Sequence, residues 1–185
     1  MNIALDLEST LAEVATAFRN EYENRNGERP GVWTEWNFDD AEFSTDEFFE
    51  ITTSLWKHES LSIPAIERNV SEKTLRLHKM ANRLDIVTGR RGVTDGIEAW
   101  LRHQGVQYDD LVVVGQQTDK AELNYDVYID DAPQHVNSVK DDQTLFLYDR
   151  PHNRVIDGLE AKNITRITKL EEVYPYIAEA QGVVS

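Results

Sequence analysis

The first apolar run of the chain, Asn2-Ile3-Ala4-Leu5, stops at an aspartate, Asp6, and is followed by a turn and a helical pattern. A run this short reads as a buried strand with Asp6 at its carboxyl end. The arrangement returns at Tyr125-Asp126-Val127-Tyr128-Ile129, which also ends in acid, at Asp130-Asp131. Ligands of open α/β sheets bind beyond the carboxyl ends of the strands. Two strand tips carrying carboxylates therefore predict one shared site.

The intervening segments keep the same rhythm. Leu11, Val14, Ala15 and Phe18 recur at helical spacing, with Ser9 and Thr10 as expected caps and an end near Glu23. A helix opens at Ser71 and runs to about Asn82, and Leu84-Asp85-Ile86-Val87-Thr88 follows as a strand closed by Gly89. Residues 93–104 read as a helix stopped by Gly105, Leu111-Val112-Val113-Val114 and Thr144-Leu145-Phe146-Leu147 as strands, and residues 170–180 as a closing helix. Residues 149–168 are expected to supply a loop and a short edge strand. Alternation of this kind predicts an α/β fold, a Rossmann-like parallel sheet with helices on both faces.

Residues 24–70 break the rhythm. Gly27, Pro30, Gly31 and Pro64 interrupt the chain, and Trp33, Trp36, Phe38, Phe43, Phe48, Phe49 and Trp56 crowd into it. A small, mostly helical insertion is expected here, with residues 1–23 and 71–185 as the α/β core domain. Aromatics in so small a unit are first of all its own core.

Composition narrows the function classes. With 185 residues and 40% hydrophobic content, the chain is expected to form about one domain plus an insertion. Acids outnumber bases 34 to 19, for a formal net charge of −15, which argues against nucleic acid and anionic membrane as partners. The same balance suits a salt-rich, halophilic cytoplasm, where repulsion is screened. The absence of cysteine excludes disulfides and thiolate chemistry. No apolar stretch reaches membrane-spanning length, and a strand beginning at residue 2 or 3 leaves no room for a signal peptide, so a cytoplasmic location is expected. His58, His78, His103, His135 and His152 show no close metal-ligand spacing and are expected to be scattered. A homodimer is compatible with the sequence but not required by it.

Four positions fall on strand tips or in the loops after them: Asp6 with Glu8, Thr88 in Val87-Thr88-Gly89-Arg90, Lys120 in Thr118-Asp119-Lys120-Ala121, and Asp130 with Asp131. If the strands are parallel neighbours, all face one edge of the sheet. Crowded carboxylates raise one another's pKa unless a divalent cation neutralises them, and oxygen-only ligands suit Mg²⁺. A threonine hydroxyl, the Gly89 amide and a lysine ammonium then offer donors to phosphate oxygens. Arg90 and Arg91 are within sequence reach of the same phosphate, with a salt bridge at the helix start as the competing reading. A carboxylate so placed can attack phosphorus and form an aspartyl-phosphate.

Strand-Asp-x-acid, strand-Thr-Gly-Arg, a lysine before the fourth strand and strand-Asp-Asp resemble the four motifs of the haloacid dehalogenase superfamily, over nearly the whole chain. Ile129-Asp130-Asp131-Ala132-Pro133 and the insertion after the first helix are similar to its type C 5'-nucleotidase and deoxyribonucleotidase branch, small phosphatases with a C1-type cap. The resemblance implies Asp6 as nucleophile and Glu8 as general acid and base that also offers its backbone carbonyl to Mg²⁺. It implies Thr88 and Lys120 around the phosphoryl group, where the Gly89 amide and Arg90 are also expected to bind substrate, and Asp130 on the metal with Asp131 sharing that duty or orienting a water. Trp33, Trp36 or Phe49 would roof the site and stack on a nucleobase. The implied activity is Mg²⁺-dependent hydrolysis of a small phosphomonoester, a nucleoside or deoxynucleoside monophosphate first, a sugar phosphate otherwise. The family pattern has aspartate and glycine where this chain has Glu8 and Ser9. A displacement of about 1 Å at a reacting group can cost on the order of a hundredfold in rate, so a phosphate- or nucleotide-binding protein with weakened chemistry is the alternative.

Overall fold

The computed structural model describes residues 1–115, 120–154 and 163–182. Six strands, β1 (Asn2–Leu5), β2 (Arg83–Thr88), β3 (Asp110–Val113), β4 (Val127–Asp130), β5 (Thr144–Tyr148) and β6 (Ile164–Ile167), form one sheet in the order β3-β2-β1-β4-β5-β6. Every pairing is parallel. The strand order reverses between β1 and β4, which opens a crevice at their carboxyl ends. Asp6 follows β1 directly and Asp130 ends β4, so the two acidic tips predicted to share a site flank that crevice.

Period-two alternation explains why both sheet faces are buried. Ile3, Leu5, Leu84, Ile86, Val127, Ile129, Phe146 and Ile167 point into the larger core, whereas Ala4, Val87, Tyr128, Leu145, Leu147 and Ile164 point into a smaller one. The larger core is completed by α1 (Val14–Asn26), α2 (Thr45–His58), α3 (Val70–Met80), α4 (Thr94–Gln104) and α6 (Tyr174–Ala180). Against the smaller core, the described residues place the short turn 120–123 and the one-turn helix α5 (His135–Ser138) with its neighbour Val139.

Several boundaries differ from the sequence reading. Helix α1 starts at Val14 rather than near Leu11, and Ser9 and Thr10 do not cap it. The segment between β1 and α1 instead curls on itself, with the Leu11 and Ala12 amides donating to the Leu7 carbonyl at 2.9 and 2.8 Å. The Glu13 amide donates to the Pro64 carbonyl, and Ala12 bridges to Ala65, so residues 64–66 pin the curl. The Leu11, Ala12 and Glu13 amides are thus bonded to backbone carbonyls without a side-chain cap. The helix expected to end near Glu23 runs on to Asn26 and stops at Gly27, whose φ of 83° is the left-handed conformation that closes helices. The closing helix expected over 170–180 divides into a 3₁₀ turn, Leu170–Val173, and α6. The edge strand expected within 149–168 is β6, and residues 155–162 of that stretch lie outside the described residues.

Between α1 and α3 the chain is irregular until Ser44, whose hydroxyl and backbone exchange bonds with Glu47 to open α2 in a capping box. The aromatic crowd packs mainly on itself and on α1. Phe18 meets Phe43 at 4.5 Å and Phe48 at 4.9 Å, and Phe38 meets Phe48 at 4.7 Å, between ring centroids. Helix α2 is in turn seated on α4. A β-carbon at Gly96 would stand 1.8 Å from the Trp56 carbonyl oxygen, an approach only glycine permits. Trp56 and Trp100 meet edge to face beside it, and the Trp100 indole donates to the Ile63 carbonyl at 2.8 Å.

Candidate active site

The crevice between β1 and β4 opens into a cleft of about 850 Å³ whose floor is the strand tips and whose roof comes from residues 33–53. Asp6, Glu8, Ser9, Thr88, Gly89, Arg90, Lys120, Asp130 and Asp131 all line it. Every residue singled out in the sequence for chemistry is thus brought to one place. Thr118 and Asp119, quoted with Lys120, lie outside the described residues.

Asp6, Asp130 and Asp131 form the centre. All three are buried, and one oxygen from each lies within 4.8 Å of the others. The Asp6 amide donates to the Ile129 carbonyl at 2.9 Å, which extends the ladder beyond β1 and fixes the tip. The ammonium of Lys120, whose side chain is 12% exposed, donates to Asp6 Oδ1 and, at 2.7 Å, to Asp130 Oδ2. Asp130 Oδ1 accepts from the Ala132 amide at 2.9 Å.

These surroundings treat the three acids differently. Burial raises the Asp6 carboxyl well above the usual carboxylate range, and the charges of Asp130 and Asp131 add to that despite Lys120. Burial also raises Asp131, with His152 offsetting part of the effect. Burial pushes Asp130 the same way, but the Lys120 charge, His135 and the Ala132 amide outweigh it and leave this carboxyl below its ordinary value. Lys120 is held protonated because its two carboxylate partners overcome the burial penalty.

The donor set fits a hard divalent cation. Three carboxylates and one ammonium sum to a formal charge of −2, and every candidate ligand atom is oxygen. The raised Asp6 and Asp131 mark where negative charge is under-compensated, which is what a bound cation would relieve.

Glu8 sits apart from this cluster. It is presented by the curl after β1, and its carboxylate accepts from the Arg90 Nε at 3.0 Å to each oxygen and from the Trp56 indole at 2.6 Å. The Arg90 guanidinium lies 5.0 Å from the centre of the Phe49 ring. Of the two readings of the arginines, Arg90 takes the salt bridge, with Glu8, while Arg91 donates to the Val114 carbonyl at 3.1 Å. Ser9, following Glu8, has φ of 63°, a left-handed backbone that is strained for serine and easy for glycine. Thr88 ends β2, and its hydroxyl accepts from the Arg90 amide at 3.1 Å.

Sequence reasoning missed two histidines. His152 Nε2 meets Asp131 Oδ2 at 2.7 Å, and His135 Nδ1 lies 3.4 Å from Asp130 Oδ2, buried and without a hydrogen-bond partner among the described residues. Both belong to segments that follow strands at the carboxyl edge, His135 after β4 and His152 after β5. That position, rather than spacing between histidines, was the available signal. Asn153 supports the same corner by donating to the Asp131 and Tyr148 carbonyls, each at 2.8 Å. Among the three aromatics expected over the site, Trp33 lines the cleft but is mostly buried in the ring cluster, whereas Trp36 and Phe49 are 44% and 49% exposed. Trp36 stands edge-on to His152 at 5.1 Å.

A parallel sheet in this order, with a buried aspartate cluster and a lysine at its switch point, defines a haloacid dehalogenase-like hydrolase. The chain belongs to the family described as 5' nucleotidase, deoxy (pyrimidine), cytosolic type C protein, whose model matches residues 1–182. It is thereby a member of the haloacid dehalogenase-like phosphatases. Among solved structures it is similar to a candidate phosphoglycolate phosphatase from Lactobacillus delbrueckii subsp. bulgaricus, at TM-score 0.61 and 9% identity over 95% of this chain and 97% of that one. It is also similar to a candidate beta-phosphoglucomutase from Thermotoga maritima, at TM-score 0.56 and 14% identity over 97% and 99% of the two chains. At these identities the likeness is one of fold. No curated protein matches the sequence. Among the described residues, no helix is long and apolar enough to cross a membrane.

Proposed function

We propose that the protein is a Mg²⁺-dependent phosphomonoester hydrolase acting on a nucleoside or deoxynucleoside monophosphate through an aspartyl-phosphate. The observation that carries this reading is the buried Asp6, Asp130 and Asp131 cluster with Lys120 between two of its members. The family match supports it. Asp6, Asp130 and Asp131 would hold Mg²⁺, with the Glu8 backbone carbonyl, and the ion would supply neutralisation of the site and Lewis-acid polarisation of a phosphoryl oxygen.

In the proposed reaction an Asp6 carboxylate oxygen attacks phosphorus in line and the ester P–O bond breaks. Thr88, the Gly89 amide and Lys120 hold the phosphoryl oxygens as charge develops. Glu8, entering the first step protonated, gives that proton to the departing alkoxide and then takes one from the water that attacks the aspartyl-phosphate, which releases phosphate and restores both Asp6 and the protonated acid. Arg90 borders the phosphate subsite and is tied to Glu8. Residues 24–70 act as a cap in this reading, with Trp36 and Phe49 as the exposed rings that face a nucleobase. The acid excess is read as an adaptation to a salt-rich cytoplasm, and the partner as a small molecule alone.

The test is phosphate release from a panel of nucleotide and sugar monophosphates with Mg²⁺, at low and at concentrated KCl, beside Asp6→Asn. Asp6→Asn is expected to lower kcat by at least about a thousandfold, the scale of losing a nucleophile, with circular dichroism unchanged. Sustained turnover by the folded variant would end the nucleophile assignment. A folded wild type that binds Mg²⁺ yet turns over no ester would favour the phosphate-binding alternative, and a preference for sugar phosphates would displace the nucleotide.

A further inference from the structure

The Glu8 carboxylate is gripped from two sides. Both of its oxygens face the Arg90 Nε at 3.0 Å, and Oε1 also accepts from the Trp56 indole at 2.6 Å. Trp56 is fully buried and Arg90 is 7% exposed, so neither donor is free to wander. The two come from unrelated places: Arg90 follows β2, two residues beyond Thr88, while Trp56 is near the end of α2. Helix α2 cannot shift locally, because its Trp56 carbonyl is lodged against Gly96 of α4 and its indole ring rests on Trp100. Phe49, on the same helix, lies under the Arg90 guanidinium. Thus one helix touches both the acid and the cation that holds it.

We propose that Trp56 is a positioning residue that, with Arg90, sets where the longer Glu8 side chain presents its carboxyl to the leaving group, so that α2 and α4 rather than the curl alone fix the proton donor. This rests on the hydrolase reading above. The physical case is that a glutamate on a tight curl has one more rotatable bond than an aspartate and must be restrained to act at a defined distance. A hydrogen bond from the Arg90 cation is charge-assisted whether Glu8 is ionised or carries the proton it donates, and it is directional. The Trp56 indole has a single donor, and here it is spent on Glu8. Shortening the acid alone would therefore leave a buried indole and a buried guanidinium without their partner. On this inference Glu8→Asp loses activity rather than regaining a family norm.

Trp56→Phe, with Trp100→Phe as a packing control, separates this from a merely structural role. The reading is kcat/KM, which covers steps up to loss of the first product, for a nucleoside monophosphate and for p-nitrophenyl phosphate, whose leaving group departs without a proton. Trp56→Phe is expected to lower kcat/KM for the nucleotide by about tenfold or more, the scale of one hydrogen bond to a charged group, and for the aryl ester by less than about threefold. Trp100→Phe is expected to affect both esters alike. Separately, in a ¹⁵N-labelled protein the indole N–H resonance of Trp56, identified by its loss in Trp56→Phe, is expected to move in Glu8→Ala. Equal losses on both esters, no loss on either, or an unmoved indole resonance would each overturn the positioning role while leaving the hydrolase standing. A wild type inactive on both esters would overturn the hydrolase reading and this role with it.

Discussion

The floor and the roof of the cleft are built by different means. The floor is backbone-determined: Asp6, Thr88 and Asp130 occupy the ends of three adjacent strands, and parallel pairing alone carries them to one edge. The roof is packing-determined: Trp33, Phe38, Phe43 and Phe48 hold one another and Phe18, leaving Trp36 and Phe49 exposed above the floor. A floor of this kind survives changes of side chain as long as the ladder is intact. A roof held by ring contacts can change its lining without disturbing the sheet, which is where selectivity among phosphate esters would be expected to reside.

If the floor acts as an electrostatic unit, removing Mg²⁺ is the largest perturbation after loss of the nucleophile. Chelation is expected to abolish turnover while the sheet persists, and adding Mg²⁺ back to release protons. The sign follows from the acids. Asp6 and Asp131 have raised pKa values in the metal-free fold, so their contribution to stability is present at low pH and is lost as pH rises from the ordinary carboxylate value of 3.8 through the raised ones. Asp130 is lowered, so its contribution is present above 3.8 and disappears as pH falls through its depressed value. A cation favours the ionised forms of all three, and its affinity should weaken with falling pH. Calorimetric titration with Mg²⁺ in buffers of different ionisation enthalpy reads the proton count. Binding with no proton release would show that the floor is ionised before the metal arrives.

The roof is probed by Trp36→Ala. Loss of one stacking ring is worth about 1–3 kcal/mol per base, so KM for a nucleoside monophosphate is expected to rise about tenfold, with p-nitrophenyl phosphate much less affected. A change confined to kcat on both esters would instead assign Trp36 to His152, whose ring it meets, and through that ring to Asp131. The smallest expected effect lies where floor meets roof. Ser9→Gly removes a left-handed serine and is expected to stabilise the fold by at most about 1 kcal/mol, relief of strain being partly offset by the entropy of glycine. Urea unfolding measures it, and a destabilised variant would show that the Ser9 side chain contributes something the backbone angle conceals.

The same division explains what was legible in the sequence. Asp6, Thr88, Lys120 and Asp130-Asp131 could be found because a strand tip is a position readable from a short apolar run, and the sheet does the rest. Residues 24–70 announced an aromatic core but not its contacts, since ring packing leaves no periodic signal and the partners of Trp56, Glu8 and Trp100, are 48 and 44 residues away in the chain. The histidines were misjudged for a related reason. His135 and His152 are separated by 17 residues and by β5, and only the fold turns them toward Asp130 and Asp131. The curl after β1 resembles a helix start in sequence because Ser9 and Thr10 are good caps, but the amides they would serve are already bonded to Leu7 and Pro64.

Gly96 stands outside the lining of the cleft, yet nothing larger than hydrogen fits between its backbone and the Trp56 carbonyl. If α2 positions the acid, a random screen for impaired hydrolysis would return position 96 alongside Asp6 and Lys120, and the genotype would read as an active-site residue although it meets no ligand. Variants selected for altered substrate preference would then be free to accumulate around Trp36 and Phe49 but not along the α2–α4 seam, which serves scaffold and chemistry at once.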